Sequence, residues 1–249
     1  MTTIRPMDFP SGRTLPEELR KAMQRVERYG VIYPPGYYDQ LVLKYERKTI
    51  LYPHILMIIG EPRINTHFCY LRVLSNTGRL LDYGCGTGDN VRQLIRDGYP
   101  REHITASDIN RASIDLGFDL YRDKADIDDL FTASEAFPFG VGEFDFVYSA
   151  SVLHVIDDDD ELREYLANAY TTLAADGVFF GSTLGVEDGT VPSPDRWGPQ
   201  RVITEQQLAE FLTSVGFSCP DVVRREHVHH QVNEQKNLCY FEFYTQKSP

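Results

Sequence analysis

The sequence predicts an α/β fold: a seven-stranded, mostly parallel sheet with helices on both faces and an N-terminal helical lid. Three observations point there. From Arg79 onward, short apolar runs alternate with segments of helical period, the order that produces parallel strands joined by right-handed helical crossovers. The first run ends in three alternating glycines, Gly84, Gly86 and Gly88, and leads directly into a helix, a turn that lets backbone approach a ligand closely. A chain of 249 residues can bury one substantial core, and no composition shift marks a second. The expected organisation is an extension or lid over 1–75, packed on a core domain over 76–249.

Each element carries its own signal. A helix begins near Thr14: Thr14 and Glu17 have capping-box spacing, Pro16 suits an early helical position, and Leu15, Leu19, Met23 and Val26 form one apolar stripe. Pro34 and Pro35 punctuate the chain before a tyrosine-rich helical pattern from Tyr37 to Arg47. Pro53 and Pro62 divide the next apolar stretch, an amphipathic helix is expected over Asn65 to Leu74, and Asn76-Thr77-Gly78 reads as a turn. Strands are expected at Leu80 to Tyr83, His103 to Asp108, Leu130 to Ala133, Phe144 to Ser149, Val178 to Thr183, Val222 to Glu226 and Leu238 to Thr245. Helices are expected at Asn90 to Arg96, Arg111 to Tyr121, Glu161 to Leu173 and Glu205 to Val215. Gly185 to Val202, rich in Gly, Pro and Asp, is too long for a plain connection and reads as a functional loop.

Composition narrows the partners. A formal net charge of -12 opposes nucleic acid, whose binders recruit Lys and Arg to displace counterions, and favours a neutral or cationic small molecule. Cys69, Cys85, Cys219 and Cys239 lack paired metal-ligand spacing and read as reduced thiols. No apolar run approaches membrane-spanning length, and Met1 to Arg20 carries Asp8, Glu17 and Glu18 in place of a targeting stretch, so no membrane is expected and the cytoplasm is the expected address.

Chemistry concentrates in Leu80-Leu81-Asp82-Tyr83-Gly84-Cys85-Gly86-Thr87-Gly88-Asp89. A dinucleotide fingerprint needs its third glycine three places after the second, where this chain has Asp89, and a phosphate-cradling P-loop needs a lysine that is absent. Asp82 and Asp89 instead flank the turn, which suits a ligand with an ammonium and a sulfonium on that side. The next strand ends in Ala106-Ser107-Asp108-Ile109, where Asp108 can accept from two ribose hydroxyls and Ile109 can pack on an adenine face. Alone, the glycines fit any tight strand-to-helix turn and Asp108 fits a helix N-cap. Together they fit one ligand.

This pairing resembles the class I S-adenosylmethionine-dependent methyltransferase family, and in element order the resemblance runs from about Arg79 to Thr245. It implies a Rossmann-like fold, S-adenosyl-L-methionine as cofactor and a small-molecule acceptor. It also implies that Asp82 and the backbone of Tyr83, Gly84, Cys85 and Gly86 hold the methionine part, while Asp108 takes the ribose. Thr132 to Phe139 is similar to the family's adenine-reading segment, with Ala133 where many relatives carry Asp, so that Ser134 or Glu135 is expected to substitute. Glu143 to Ser149 is similar to the fourth strand, placing Ser149 at the cofactor. Ala175-Asp176-Gly177 stands where the turn into the fifth strand is commonly Pro-Gly-Gly.

Outside that frame, His154 follows the fourth strand and is the expected general base, with a backbone-bonding role as the plainer reading. Tyr29, Tyr33, Tyr37, Tyr38 and Tyr45 crowd one span. Tyr33, Tyr37 and Tyr38 are expected to line the substrate side of the lid, with helix packing as the alternative. Trp197, in the long loop, is a further substrate-binding candidate or a hinge. His227, His229 and His230 alternate across a presumed strand and lack ligand spacing, so no metal is expected; Asp157 to Glu161 reads as a helix N-terminus. A non-methylating enzyme or regulator with the same cofactor pocket, and an RNA cap-type methyltransferase, remain open beside the small-molecule reading, as do the acceptor atom and the oligomeric state.

Overall fold

The computed structural model describes residues 12, 14–46, 53–187, 202–218, 220–225 and 238–247. The apolar runs become β1 (Leu80–Tyr83), β2 (Ile104–Asp108), β3 (Phe131–Ala133), β4 (Phe144–Ala150), β5 (Leu173–Val186), β6 (Asp221–Arg225) and β7 (Leu238–Gln246). They form one sheet in the order β3-β2-β1-β4-β5-β7-β6. Neighbours from β3 to β5 are parallel, and β7 lies antiparallel between β5 and β6. Strand order reverses at β1, which has β2 on one side and β4 on the other. That reversal creates the crevice in which open α/β sheets bind ligands beyond their strand C-termini.

The helices are α1 (Leu15–Glu27), α2 (Tyr37–Glu46), α3 (Tyr70–Asn76), α4 (Asp89–Arg96), α5 (Arg111–Tyr121), α6 (Lys124–Ile127), α7 (Asp159–Thr172) and α8 (Glu205–Ser214). Side-chain alternation along the strands feeds two cores. Leu80, Phe146, Tyr148 and Phe180 pack with Val91, Ile114 and Phe118 on one face; Leu81, Val147, Phe179 and Phe243 pack with Leu162, Leu166, Leu208 and Leu212 on the other. A third cluster joins Leu19 and Val26 of α1, Leu41 and Tyr45 of α2, and Leu56 and Ile59 to Leu116, Leu120 and Tyr121 of α5. Thr14 caps α1, its hydroxyl accepting the Glu17 N–H at 3.4 Å, and Asp158 caps α7, one carboxylate oxygen accepting the N–H groups of Asp160 and Glu161 at 2.9 and 3.0 Å.

Two expected elements take another form. The helix expected over Asn65 to Leu74 is interrupted: a single tight turn at Ile64–Thr66 precedes α3. The interruption has a cause in tertiary bonding, since His67 Nε2 lies 3.0 Å from the Gly181 carbonyl and the Phe68 N–H donates to Glu242 at 3.1 Å, both outside any helical ladder. Ala175-Asp176-Gly177 does not precede β5 but lies within it, as an irregular stretch: Leu173 pairs with Phe144, Val178 pairs with Phe146, and Asp176 adopts a φ of 61°. No helix among the described residues is long and apolar enough to cross a membrane.

Candidate functional site

The glycine turn closes on the end of β2. Gly84 and Cys85 both donate backbone N–H groups to the Ser107 carbonyl, at 2.8 and 3.0 Å, which curls the chain after β1 back over the neighbouring strand. Gly84, Gly86 and Gly88 all have positive φ, 80°, 57° and 76°. Space is a second constraint: a methyl on Gly84 would overlap Val152 Cγ2, and one on Gly88 would stand 2.6 Å from the Phe131 ring. Behind the turn, Arg92 donates to the Thr87 carbonyl at 2.5 Å and grips Asp123 with two nitrogens at 2.7 and 2.8 Å.

Asp108 meets this turn directly. Its Oδ2 accepts the Gly86 N–H at 2.8 Å and its Oδ1 accepts the Asn110 N–H at 2.8 Å. The cap of α5 is Asn110, whose side chain accepts from Ala112 at 3.0 Å, so Asp108 is not spent on capping. Each carboxylate oxygen keeps acceptor capacity beyond one backbone donor. Burial holds the Asp108 pKa above its usual value, against the opposing pull of the two backbone donors. Next to it, Ile109 is 45% exposed, an apolar surface beside a polar anchor.

Asp82, at the end of β1, is 1% exposed, and neither of its oxygens has a hydrogen-bond partner among the described residues. Burial, then Asp108 and Asp89, push its pKa up to about 8, with the Asn90 side chain opposing. A buried carboxyl this poorly bonded is costly, and a cation or a donor brought to it would relieve it. Asp89 differs from its expected ligand-facing role. It accepts from Tyr121 at 2.6 Å, from the Gly60 N–H at 2.5 Å and from Thr87, and so ties the 53–60 segment to the turn. That segment lies over the glycines, with Ile55 Cδ1 2.9 Å from where a Gly86 methyl would be.

The other expected residues are distributed as follows. Ser134 donates its N–H to the Asp108 carbonyl at 3.1 Å and its hydroxyl to Ala136 O at 2.6 Å, and Glu135 is exposed beside it. Ser149 is fully buried with its hydroxyl 2.8 Å from that of Tyr165. Tyr83 stacks on Tyr165 at 4.0 Å, and Cys85 is buried in the first core. His154 is buried. Its Nδ1 accepts the Leu184 N–H at 3.2 Å, so the neutral ring carries its proton on Nε2. The tyrosines expected to face substrate are committed elsewhere: Tyr33 and Tyr37 donate to the Leu120 and Asp119 carbonyls of α5 at 2.7 and 2.8 Å, and Tyr38 to Pro16 O at 2.9 Å. They fasten the N-terminal helices to the core. Trp197, His227, His229 and His230 lie outside the described residues.

Three site residues escaped the sequence reading. Tyr165 of α7 donates to the Tyr83 carbonyl at 2.8 Å, bracing the strand end from below. Arg63 reaches from the N-terminal part to Ser151 Oγ, just after β4. Tyr148 of β4 is completely buried with an unpartnered hydroxyl, its pKa held far above the usual phenol range by burial and then by Asp82.

Comparison with known proteins gives a consistent picture. Residues 80–177 match the model of a family described as a methyltransferase domain. The chain is 33% identical over 105 residues to methyltransferase adrK of Penicillium rubens, a stretch covering 38% of each chain. It is 35% identical over 105 residues to methyltransferase ausD of Penicillium brasilianum, again 38% of each. The match thus spans well under half the length of these curated relatives. Among solved structures, the chain is similar to 1,6-didemethyltoxoflavin-N1-methyltransferase of Burkholderia thailandensis, bound to 1,6-didemethyltoxoflavin and S-adenosylhomocysteine, with a TM-score of 0.57 and 21% identity over 98% of this chain and 94% of that one. It is also similar to the cyclase SpnF, with a TM-score of 0.54 and 18% identity over 71% of this chain and 81% of that one. At these identities the structures speak for the fold.

Proposed function

We propose that the chain is a class I S-adenosylmethionine-dependent methyltransferase that binds S-adenosyl-L-methionine beyond the ends of β1 and β2 and transfers a methyl group to a small molecule, a reading supported by the match of residues 80–177 to a methyltransferase-domain family. The observation that carries this reading is the Asp108 carboxylate bonded to the Gly86 N–H, which brings the ribose-accepting group and the flexible turn to one place. In this reading Asp108 accepts from the ribose hydroxyls, Ile109 covers one adenine face, and Ser134 and Glu135 border its edge. Asp82 takes the ammonium, and the backbone from Tyr83 to Gly86 follows the methionine chain. Residues 1–75 act as cover, and 76–249 as the cofactor-binding domain.

When bound, the cofactor supplies a methyl group already activated on a sulfonium, so the protein's work is alignment and exclusion of water. Ser149 and Tyr165 hold the floor of the β1 and β4 ends by their shared hydrogen bond. His154, with Nδ1 occupied by a backbone donor, fixes the connection after β4 to β5 in place of removing a proton. Isothermal titration with S-adenosylhomocysteine tests the reading. Wild type binds, and Asp108→Ala, which deletes charge-assisted hydrogen bonds, weakens binding by about tenfold or more. Equal affinity in the two proteins would contradict it.

The likeness to a cyclase keeps a second reading in view, a catalyst on the same fold that binds the cofactor without methylating. Mass spectrometry separates the two, because a methyltransferase adds one methyl group to its acceptor and releases S-adenosylhomocysteine.

A further inference from the structure

Beyond the end of β4, the Arg63 guanidinium has no carboxylate to balance it among the described residues. Asn90 Oδ1 accepts the backbone N–H groups of Arg63 and Ile64 at 3.1 and 3.2 Å, which fixes this segment to the start of α4. The Arg63 side chain then spans the strand ends: Nη1 donates to Ser151 Oγ after β4, and the guanidinium carbon lies 4.5 Å from the ring centre of Tyr240 in β7. Arg92, Arg101, Arg111, Arg224 and Arg225 each pair with a carboxylate. Arg63 has no such partner among the described residues, although the chain's net charge is -12.

Below Arg63, the sheet offers donors with nothing to bond. The hydroxyls of Tyr148 in β4 and Ser182 in β5 are both buried and unpartnered among the described residues. Tyr148 pairs with Phe180 and Ala150 with Ser182, and the two-residue alternation sets all four on one sheet face. The charge of Arg63 is felt at the Tyr148 hydroxyl, so cation and phenol belong to one locality. Two acids also act there. Glu242 is balanced by Arg225 at 3.0 Å and by the Phe68 N–H, and Asp82 faces the cofactor turn. A half-buried cation above two unused hydroxyls is a receptor for an anionic oxygen, with a planar fork suited to it.

His154, the histidine after β4, offers no base there, because its Nδ1 already accepts a backbone N–H. An oxygen that arrives ionised needs none. As its lone pair forms the new O–C bond, the electrons of the C–S bond leave with sulfur, and no proton changes hands.

We propose that Arg63, assisted by the Tyr148 and Ser182 hydroxyls, is the residue that selects and orients the acceptor, and that the acceptor presents an anionic oxygen, a carboxylate or an acidic phenolate, the local cation outweighing the preference for a neutral or cationic partner that the net charge of -12 implies. This rests on the methyltransferase reading above. Its test is titration calorimetry on the S-adenosylhomocysteine-loaded protein with benzoate, 4-nitrophenolate and neutral benzamide as probes. Wild type binds one or both anions and discriminates against benzamide, the stronger anion naming the source of the charge. Arg63→Gln weakens anion binding by about tenfold or more while leaving S-adenosylhomocysteine affinity within about twofold, Arg63→Lys recovers part of the loss, and Tyr148→Phe loses a smaller factor. Equal binding of benzamide, or no binding of either anion by wild type, overturns the proposal. So does a tenfold fall in S-adenosylhomocysteine affinity in Arg63→Gln, which assigns the guanidinium to the cofactor. Failure of wild type to bind S-adenosylhomocysteine is a different result: it removes the methyltransferase reading itself, and this inference with it.

Discussion

Asp82 is the residue on which pH acts most directly. Its pKa is pushed from 3.8 up to about 8 by burial and by Asp108 and Asp89. Between those values the folded chain holds a proton that the unfolded chain has lost, so this group's stabilising contribution is complete below about pH 4 and disappears as pH climbs towards 8. Ligand-free Asp82→Asn should therefore gain in melting temperature relative to wild type as pH rises from about 6 to about 9. A parallel decline in the two proteins would refute this. A ligand cation reverses the preference, since it favours the carboxylate. Uptake of S-adenosylmethionine near neutral pH should then release a proton, seen as binding enthalpies that differ between phosphate and Tris buffers in wild type and converge in Asp82→Asn. At this scale the sequence exposed the acids at the ends of β1 and β2, because an acid at a strand end beside glycines is a local pattern. Arg63, Tyr148 and Tyr165 stayed hidden because their surroundings are assembled from segments far apart in the chain: Arg63 meets Ser151 and Tyr165 meets Tyr83. Tyr33, Tyr37 and Tyr38 admitted two readings because a crowd of aromatic residues looks the same in a lid and in a helix-packing seam. Their hydroxyls bond to α5 and α1, so Tyr37→Phe should cost about 1 kcal/mol of stability, measured by urea unfolding, and leave S-adenosylhomocysteine affinity unchanged.

Among the elements, the pairing of α5 with the glycine turn is the least forgiving. Gly117, midway along α5, lies so close to Thr87 that an added methyl would overlap the Thr87 carbonyl. Gly117→Ala should destabilise by about 1–3 kcal/mol, the range for overpacking, and should also weaken S-adenosylhomocysteine, because the helix can only make room by pushing the turn. A variant of the remote α8 cap supplies the contrast. Thr204 accepts the Gln207 N–H at 3.2 Å in a complete capping box, so Thr204→Ala should lose about 1 kcal/mol with ligand affinity intact. Thermal melts and calorimetry on both variants check the pair, and a ligand effect in Thr204→Ala with none in Gly117→Ala would contradict the assignment. Element positions were legible to within a few residues where periodicity and a cap agreed, as at Thr14. The helix expected over Asn65 to Leu74 failed because His67 and Phe68 bond to β5 and β7, partners that local periodicity does not register.

For the molecule as a whole, the alternation of strands and helices disclosed the layered architecture and the switch point at β1, since parallel crossovers leave few topologies open. It did not disclose how the N-terminal helices dock. Leu116 and Leu120 of α5 are fully buried beneath α1 and α2. Removing residues 1–46 should expose that surface, lowering the melting temperature and raising binding of a hydrophobic dye. An unchanged melt would show the cover to be dispensable. The inner position of β7 bears on biosynthesis. Leu238–Gln246 leaves the ribosome after every other described strand, yet it is wedged between β5 and β6 and supplies the partner for Val178 through Val186. Until Leu238–Gln246 has been made, β5 carries an unpaired apolar edge, so in the growing chain chaperone shielding of β5 and the later pairing with β7 compete for the same residues.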